Sequence, residues 1–111
     1  MRRGDIYYAA LDPTVGSEIQ KTRPVLIISN NANNRAFELV TVLPFTSNTK
    51  KIFPFEVYLS THETGLPKNA KLQCQQIRTI FKNQIKSPRI SYISEACLMQ
   101  VNNAIKLHLD I

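Results

Sequence analysis

The stretch Lys21-Thr22-Arg23-Pro24-Val25-Leu26-Ile27-Ile28-Ser29-Asn30 decides the fold. Five of its six residues from Pro24 to Ser29 are apolar. So short and continuous an apolar run marks a strand buried on both faces. Pro24 is tolerated there because it stands first and owes the ladder no N–H. Arg23 is then a guanidinium at the mouth of a buried strand, which calls for a reason.

Upstream, Asp5–Leu11 carries the aromatic and aliphatic residues of a strand. Residues 12–23 hold Pro13, Gly16 and Ser17 and read as a long loop between strands, a place where function concentrates. Downstream, residues 30–35 read as a turn. In Phe37–Phe45, the residues Phe37, Leu39, Thr41 and Leu43 alternate with Glu38, Val40 and Val42. Pro44 implies that this strand meets an edge or a bulge. Residues 46–51 form a polar loop, and Phe53, Phe55, Val57 and Leu59 alternate along another half-buried strand. Residues 61–69 read as a turn. Ala70–Phe81 reads as a strand whose apolar face, Leu72 and Cys74, continues into Gln76 and Arg78. Polar groups on a core face are costly unless hydrogen-bonded, so a bulge or a polar network is expected. Ser94 caps a final helix with Glu95 in its first turn. Cys97, Leu98, Val101, Ala104, Ile105 and His108 fall along one stripe of it. Five or more strands followed by one helix predict a small, partly closed barrel with the helix packed on it.

The chain has 111 residues, 43% of them hydrophobic, enough for one domain over residues 1–111. No apolar run is long enough to cross a bilayer, and the N-terminal residues lack the apolar stretch of a signal peptide. A cytoplasmic protein is expected, with no membrane partner. Cys74 and Cys97 are isolated and lack metal spacing, so two buried free thiols are expected and no metal site. The net charge is +6. Residues 50–89 carry eight Lys/Arg against two Asp/Glu and hold nearly all of the excess. Such a patch attracts phosphates, although ordinary solubility charge looks the same.

Several motifs recur in order: Gly4-Asp5-Ile6, Asp12-Pro13 with Gly16 and Glu18, Arg23-Pro24-Val25, Thr46-Ser47, and Gln76 with Arg78-Thr79. The set resembles the MazF/PemK/Kid family of toxins from type II toxin–antitoxin modules. The resemblance implies a mainly β, SH3-like barrel of about five to seven strands with a C-terminal helix. It implies a homodimer that cuts single-stranded RNA in a sequence-specific way, without metal or cofactor. It also implies an antitoxin partner whose acidic C-terminal segment covers the RNA groove, with operator DNA reached only through that antitoxin. Relatives of the same fold, such as the gyrase poison CcdB, do not cut RNA, so fold alone does not settle activity. A barrel that acts by binding RNA, the antitoxin–operator complex or a topoisomerase is the alternative.

Metal-free cleavage uses the RNA's own 2′-hydroxyl as nucleophile and passes through a phosphorane of extra negative charge. A planar guanidinium with fixed donors suits that charge, which gives Arg23 its reason. A structural Arg–carboxylate pair is the competing explanation. Thr46 matches the family's second active-site position; without the resemblance it reads as a turn residue. Ser17, Glu18, Lys21, Ser47, Lys50, Lys51, Gln75, Gln76 and Arg78 are the expected RNA contacts, with Arg78 and Gln76 also fitting a structural polar network. Where Kid-type relatives have His, Arg and Asp, this chain has Ser17, Gln73 and Gln75, and MazF-type relatives often have Glu at the last of these. A neutral amide cannot take a proton, so the expected general base is missing. His62 and His108 have no catalytic role in this reading.

Overall fold

The structure, a computed structural model, describes residues 1–11 and 22–111. Seven strands form one antiparallel sheet: β1 (Asp5–Ala10), β2 (Thr22–Ile27), β3 (Leu39–Thr46), β4 (Glu56–Leu59), β5 (Ala70–Gln73), β6 (Arg78–Phe81) and β7 (Ser91–Tyr92). Their order is β4-β5-β3-β2-β1-β7, with β6 also paired to β3. Helix α1 (Asn31–Ala36) follows β2, α2 (Thr61–Thr64) follows β4, and α3 (Glu95–Leu109) ends the chain. The sheet curls into a half-barrel, as the strand count and terminal helix predict.

The curl buries the sheet on both sides, and β2 shows it best. Leu26 and Ile28 enter the core beneath α3, with Leu43, Phe45, Leu72 and Val101. Val25 and Ile27 enter a second core with Ala9, Val40, Val42 and Ile80. The continuous apolar run is therefore explained: alternate residues serve opposite cores. Each fully buried Leu or Ile contributes about 1.5–3 kcal/mol relative to exposure. The strand itself runs from Thr22 to Ile27, so Arg23 lies within the ladder, opposite Ala9, rather than at its mouth.

Pro44 lies in a central strand, not at an edge. The backbone parity of β3 explains how. Ile28 N–H donates to Thr41 O at 2.9 Å, so odd-numbered residues of β3 turn their backbone groups toward β2. Even-numbered residues turn toward the other side, where β6 pairs with Leu39–Val42 and β5 with Phe45 and Thr46. Pro44 falls where the ladder passes from β6 to β5, so the N–H it lacks is not required there.

The segment Ala70–Phe81 is two strands rather than one. A 3₁₀ turn, Cys74–Gln76, divides it, closed by Ile77 N–H to Cys74 O at 3.2 Å. The turn carries Gln76 out to the surface, so period two does not continue through it. Two segments read as turns contain short helices. Asn30 caps α1 through its side chain. Ser60 and Glu63 form a capping box on α2, which ends at Gly65 with φ 71°, a left-handed conformation natural to glycine. The strand expected over Phe53–Leu59 begins only at Glu56, because the Glu56 carboxylate accepts the Phe53 N–H at 3.0 Å and turns the chain. Phe37 and Leu39 are exposed, and the burial of β3 on both sides begins at Val42.

Ser94 caps α3 as expected, accepting from Cys97 N–H at 3.1 Å. Cys97, Val101 and Ala104 are its buried stripe, with Leu98 and Ile105 beside them. His108 is exposed and meets the Phe55 ring at 5.8 Å. Both cysteines are buried free thiols. Among the described residues no helix is long and apolar enough to cross a membrane.

Candidate nucleic-acid interface

Arg23 and Thr46 come from different strands and meet in one place. β3 pairs with β2 as far as Pro44, and Thr46 ends the strand two residues later. Both residues line two adjoining clefts on this side of the sheet. The ion pairs among the described residues are Lys71–Glu56 and Arg89–Asp5, so Arg23 is in neither. Thr46 Oγ1 accepts the Asn48 N–H at 3.3 Å, a turn-type bond that coexists with its place in the cleft.

The first cleft is mainly apolar. Tyr8, Pro24, Phe45, Leu66, Pro67 and Ala70 line it, with Ser47 and Lys68 as further polar members. The second is polar and holds Gln73, Gln76 and Arg78 beside Leu11 and Pro44. The structure therefore brings together Arg23, Thr46, Ser47, Gln76 and Arg78. Tyr8, Leu66, Pro67, Lys68 and Gln73 join them without having been marked as contacts from sequence. Only three-dimensional folding places residues 66–68 beside Arg23, so no local pattern gives them away. Ser17, Glu18 and Lys21 lie outside the described residues.

Gln75 does not line either cleft. Its Nε2 donates to Glu56 Oε2 at 2.7 Å, and its Oε1 is buried without a hydrogen-bond partner. Glu56 Oε1 accepts Lys71 Nζ at 2.9 Å and the Phe53 N–H at 3.0 Å. Lys71 Nζ also donates to the Lys51 carbonyl at 2.7 Å. Burial alone raises the Glu56 pKa. The Phe53 N–H, the Gln75 amide and Lys71 more than offset this and hold it below its ordinary value. The group acts as a clasp on the 47–55 loop. Lys51 holds its ammonium 4.7 Å from the centre of the Phe53 ring, and Phe53 stacks on Phe55 at 5.4 Å. Lys50 is exposed on the same loop, and neither lysine lines a cleft.

Cys74 begins the 3₁₀ turn at the end of the polar wall. Its burial, with the nearby Glu56 charge, pushes the thiol pKa up to about 11. It is therefore a protonated, packed side chain at neutral pH and no nucleophile. Among the described residues no group of His, Cys, Asp and Glu is arranged to hold a metal ion.

Fold and cleft define an SH3-like half-barrel with the Arg23 guanidinium and the Thr46 hydroxyl at the junction of two clefts, and with Lys68 in the lining of one and Arg78 in that of the other. The chain belongs to the PemK-like, MazF-like toxin family of type II toxin–antitoxin systems, whose sequence profile it matches over residues 2–109. It is 45% identical to endoribonuclease MazF9 of Mycobacterium tuberculosis (strain ATCC 25618 / H37Rv), over 100% of this chain and 98% of that one. It is 38% identical to endoribonuclease MazF of Staphylococcus saprophyticus, over 100% and 92%. The fold superposes on a MazE–MazF crystal structure from Deinococcus radiodurans with TM-score 0.83 and 23% identity, covering 100% of this chain and 96% of that one. It superposes on Mycobacterium tuberculosis toxin MazF-mt6 with TM-score 0.81 and 26% identity, over 96% and 97%.

Proposed function

We propose that this chain, an endoribonuclease toxin by family, cuts single-stranded RNA at defined sequences by transesterification. The 2′-hydroxyl oxygen attacks the adjacent phosphorus while the bond to the 5′-oxygen breaks. The attacking hydroxyl loses its proton and the departing 5′-oxygen gains one. The products are a 2′,3′-cyclic phosphate and a 5′-hydroxyl, and the cycle needs no metal. Arg23 stabilises the phosphorane charge and Thr46 hydrogen-bonds the phosphate.

The observation that carries this reading is the convergence of Arg23 and Thr46, 23 positions apart in the chain, on one open junction. The test is incubation of the purified chain with a long RNA in EDTA, with cut sites mapped and termini analysed. Uncut RNA, or 3′-hydroxyl termini, overturns it.

A homodimer in the cytoplasm is part of the proposal. Phe53, Leu107, Leu109 and Ile111 are exposed apolar side chains, and the Phe55 ring meets His108, so the 53–55 segment adjoins the end of α3 and the two offer a face with exposed apolar residues. A second copy covers such a face, and light scattering at micromolar concentration checks it. The antitoxin's acidic segment occupies the cationic cleft, competes with RNA and links the toxin to operator DNA.

One observation favours binding without cutting. Among the described residues neither cleft presents a carboxylate or an imidazole to take a proton. That reading, with RNA, an antitoxin–operator complex or a topoisomerase as target, predicts tight complexes and intact RNA in the same assay.

A further inference from the structure

The Arg23–Thr46 junction has one apolar and one polar side, and local structure fixes both. On the apolar side, Tyr8 stands opposite Pro24 in the β1–β2 ladder. Leu66 and Pro67 are held against them because α2 is capped at both ends and the buried Thr64 hydroxyl accepts the Leu66 N–H at 3.1 Å. On the polar side, Gln73 precedes the 3₁₀ turn and Gln76 ends it. Gln73, extended at the end of β5, and Gln76, at the end of the turn, both line this cleft.

An RNA strand with its scissile phosphate on Arg23 and Thr46 has one nucleoside on each side. We propose that the two clefts are base subsites that read unequally. The polar subsite fixes base identity through the Gln73 and Gln76 amides. The apolar subsite takes a base by its face against Tyr8 and Pro67 and accepts any of the four. The inference rests on the endoribonuclease reading above.

The chemistry of the walls carries it. A primary amide offers a donor and an acceptor side by side and can pair with two neighbouring atoms of a base edge. Two amides lining one cleft also fix the orientation of that edge. An aromatic ring and a proline offer no such code, because every base has a π-face. Lys68, an exposed residue of the apolar cleft's lining, neutralises phosphate whatever the sequence. Gln73 is thus a specificity-determining residue, and Tyr8 is an affinity residue.

The experiment profiles cut sites in a random-sequence RNA by deep sequencing for the native chain and for Gln73→Ala, Gln76→Ala and Tyr8→Ala, with folding verified by circular dichroism. The native profile should show strong preference on one flank of the cut and little on the other. Gln73→Ala and Gln76→Ala should each lower that preference about tenfold or more. Tyr8→Ala should slow cutting of all sequences alike, about tenfold, with the pattern unchanged. A parallel binding selection with a random strand of 2′-fluoro sugars, which lack the nucleophile, reads base preference without cleavage. One-sided preference there with no RNA cutting overturns the endoribonuclease reading alone. Equal preference on both flanks, preference unmoved by Gln73→Ala, or a changed preferred base in Tyr8→Ala overturns the subsite assignment.

Discussion

Lys71 stands opposite Thr46 across the β3–β5 ladder, and its ammonium donates to the carbonyl of Lys51, five residues beyond Thr46, at 2.7 Å. The strand that pairs with the cleft threonine thus also anchors the loop that leaves it. Lys71→Met removes that anchor and strands the buried Glu56 carboxylate, a loss of about 3–5 kcal/mol. The unfolding midpoint should fall, and KM for RNA should rise more than kcat falls because Lys50 and Lys51 ride on the loop. Lys71→Arg should recover part of both. Calorimetry and steady-state cleavage on the same preparations decide it; unchanged KM at a lowered midpoint makes the clasp purely structural.

Glu56 gives stability a pH dependence of known sign. Its folded pKa lies below the reference of 4.5, so the folded state binds its proton less tightly than the unfolded state. Its contribution is complete above pH 4.5 and is lost as pH falls through the lower folded value. Denaturant titrations from pH 7 down to about pH 3 should show this loss, and Glu56→Gln should shrink it. An identical decline in both proteins would move its source to other carboxylates.

Arg23→Ala should be the most damaging single change to cleavage, on the order of 10²–10³ in rate, as for other preorganised donors at a developing charge. Thr46→Ala should cost less, because one neutral hydrogen bond is lost. Gln75→Glu should not supply a base. Residue 75 faces Glu56, so a second carboxylate there meets a like charge and should destabilise the fold. Single-turnover cleavage of one defined RNA ranks the three. A faster Gln75→Glu would show that position 75 reaches the substrate.

Replacing Lys50 and Lys51 together with Ala should weaken RNA binding and flatten its salt dependence. The log–log slope should lose about 0.7 for each phosphate contact removed. Fluorescence anisotropy across a salt series measures it, and an unaltered slope places the contacts on Lys68 and the arginines.

Native protein at pH 7.5 should resist alkylation at Cys74, whose thiol pKa is about 11, until denaturant exposes it. Mass spectrometry after iodoacetamide treatment reads this directly. Rapid labelling of the folded chain at Cys74 would contradict the burial described.

Much of this architecture was legible in the chain. The two-sided burial of Val25–Ile28, the Ser94 cap and the stripe through Val101 each depend on neighbours a few residues away and match their reading, although β2 starts at Thr22 rather than Pro24 and His108 is exposed. The short helices α1 and α2 were read as turns because caps and turns draw on the same Asn, Ser, Thr and Gly. The break at Cys74 announced itself only as polar residues on an apolar face. Position 75 misled, because sequence aligns residues without saying which way they point. The clasp was invisible for a similar reason: Glu56 lies 15 residues from Lys71 and 19 from Gln75, so no local pattern joins them.

The missing rung at Pro44 has a geometric consequence. β5 and β6 are two leaves bound to one spine, β3, and the chain passes from one to the other through the turn at residues 74–77. Thr46 belongs to the leaf of β5, and Arg78 to the leaf of β6. The polar cleft therefore lies along the crease between the two leaves, lined from both of them and from Pro44 on the spine.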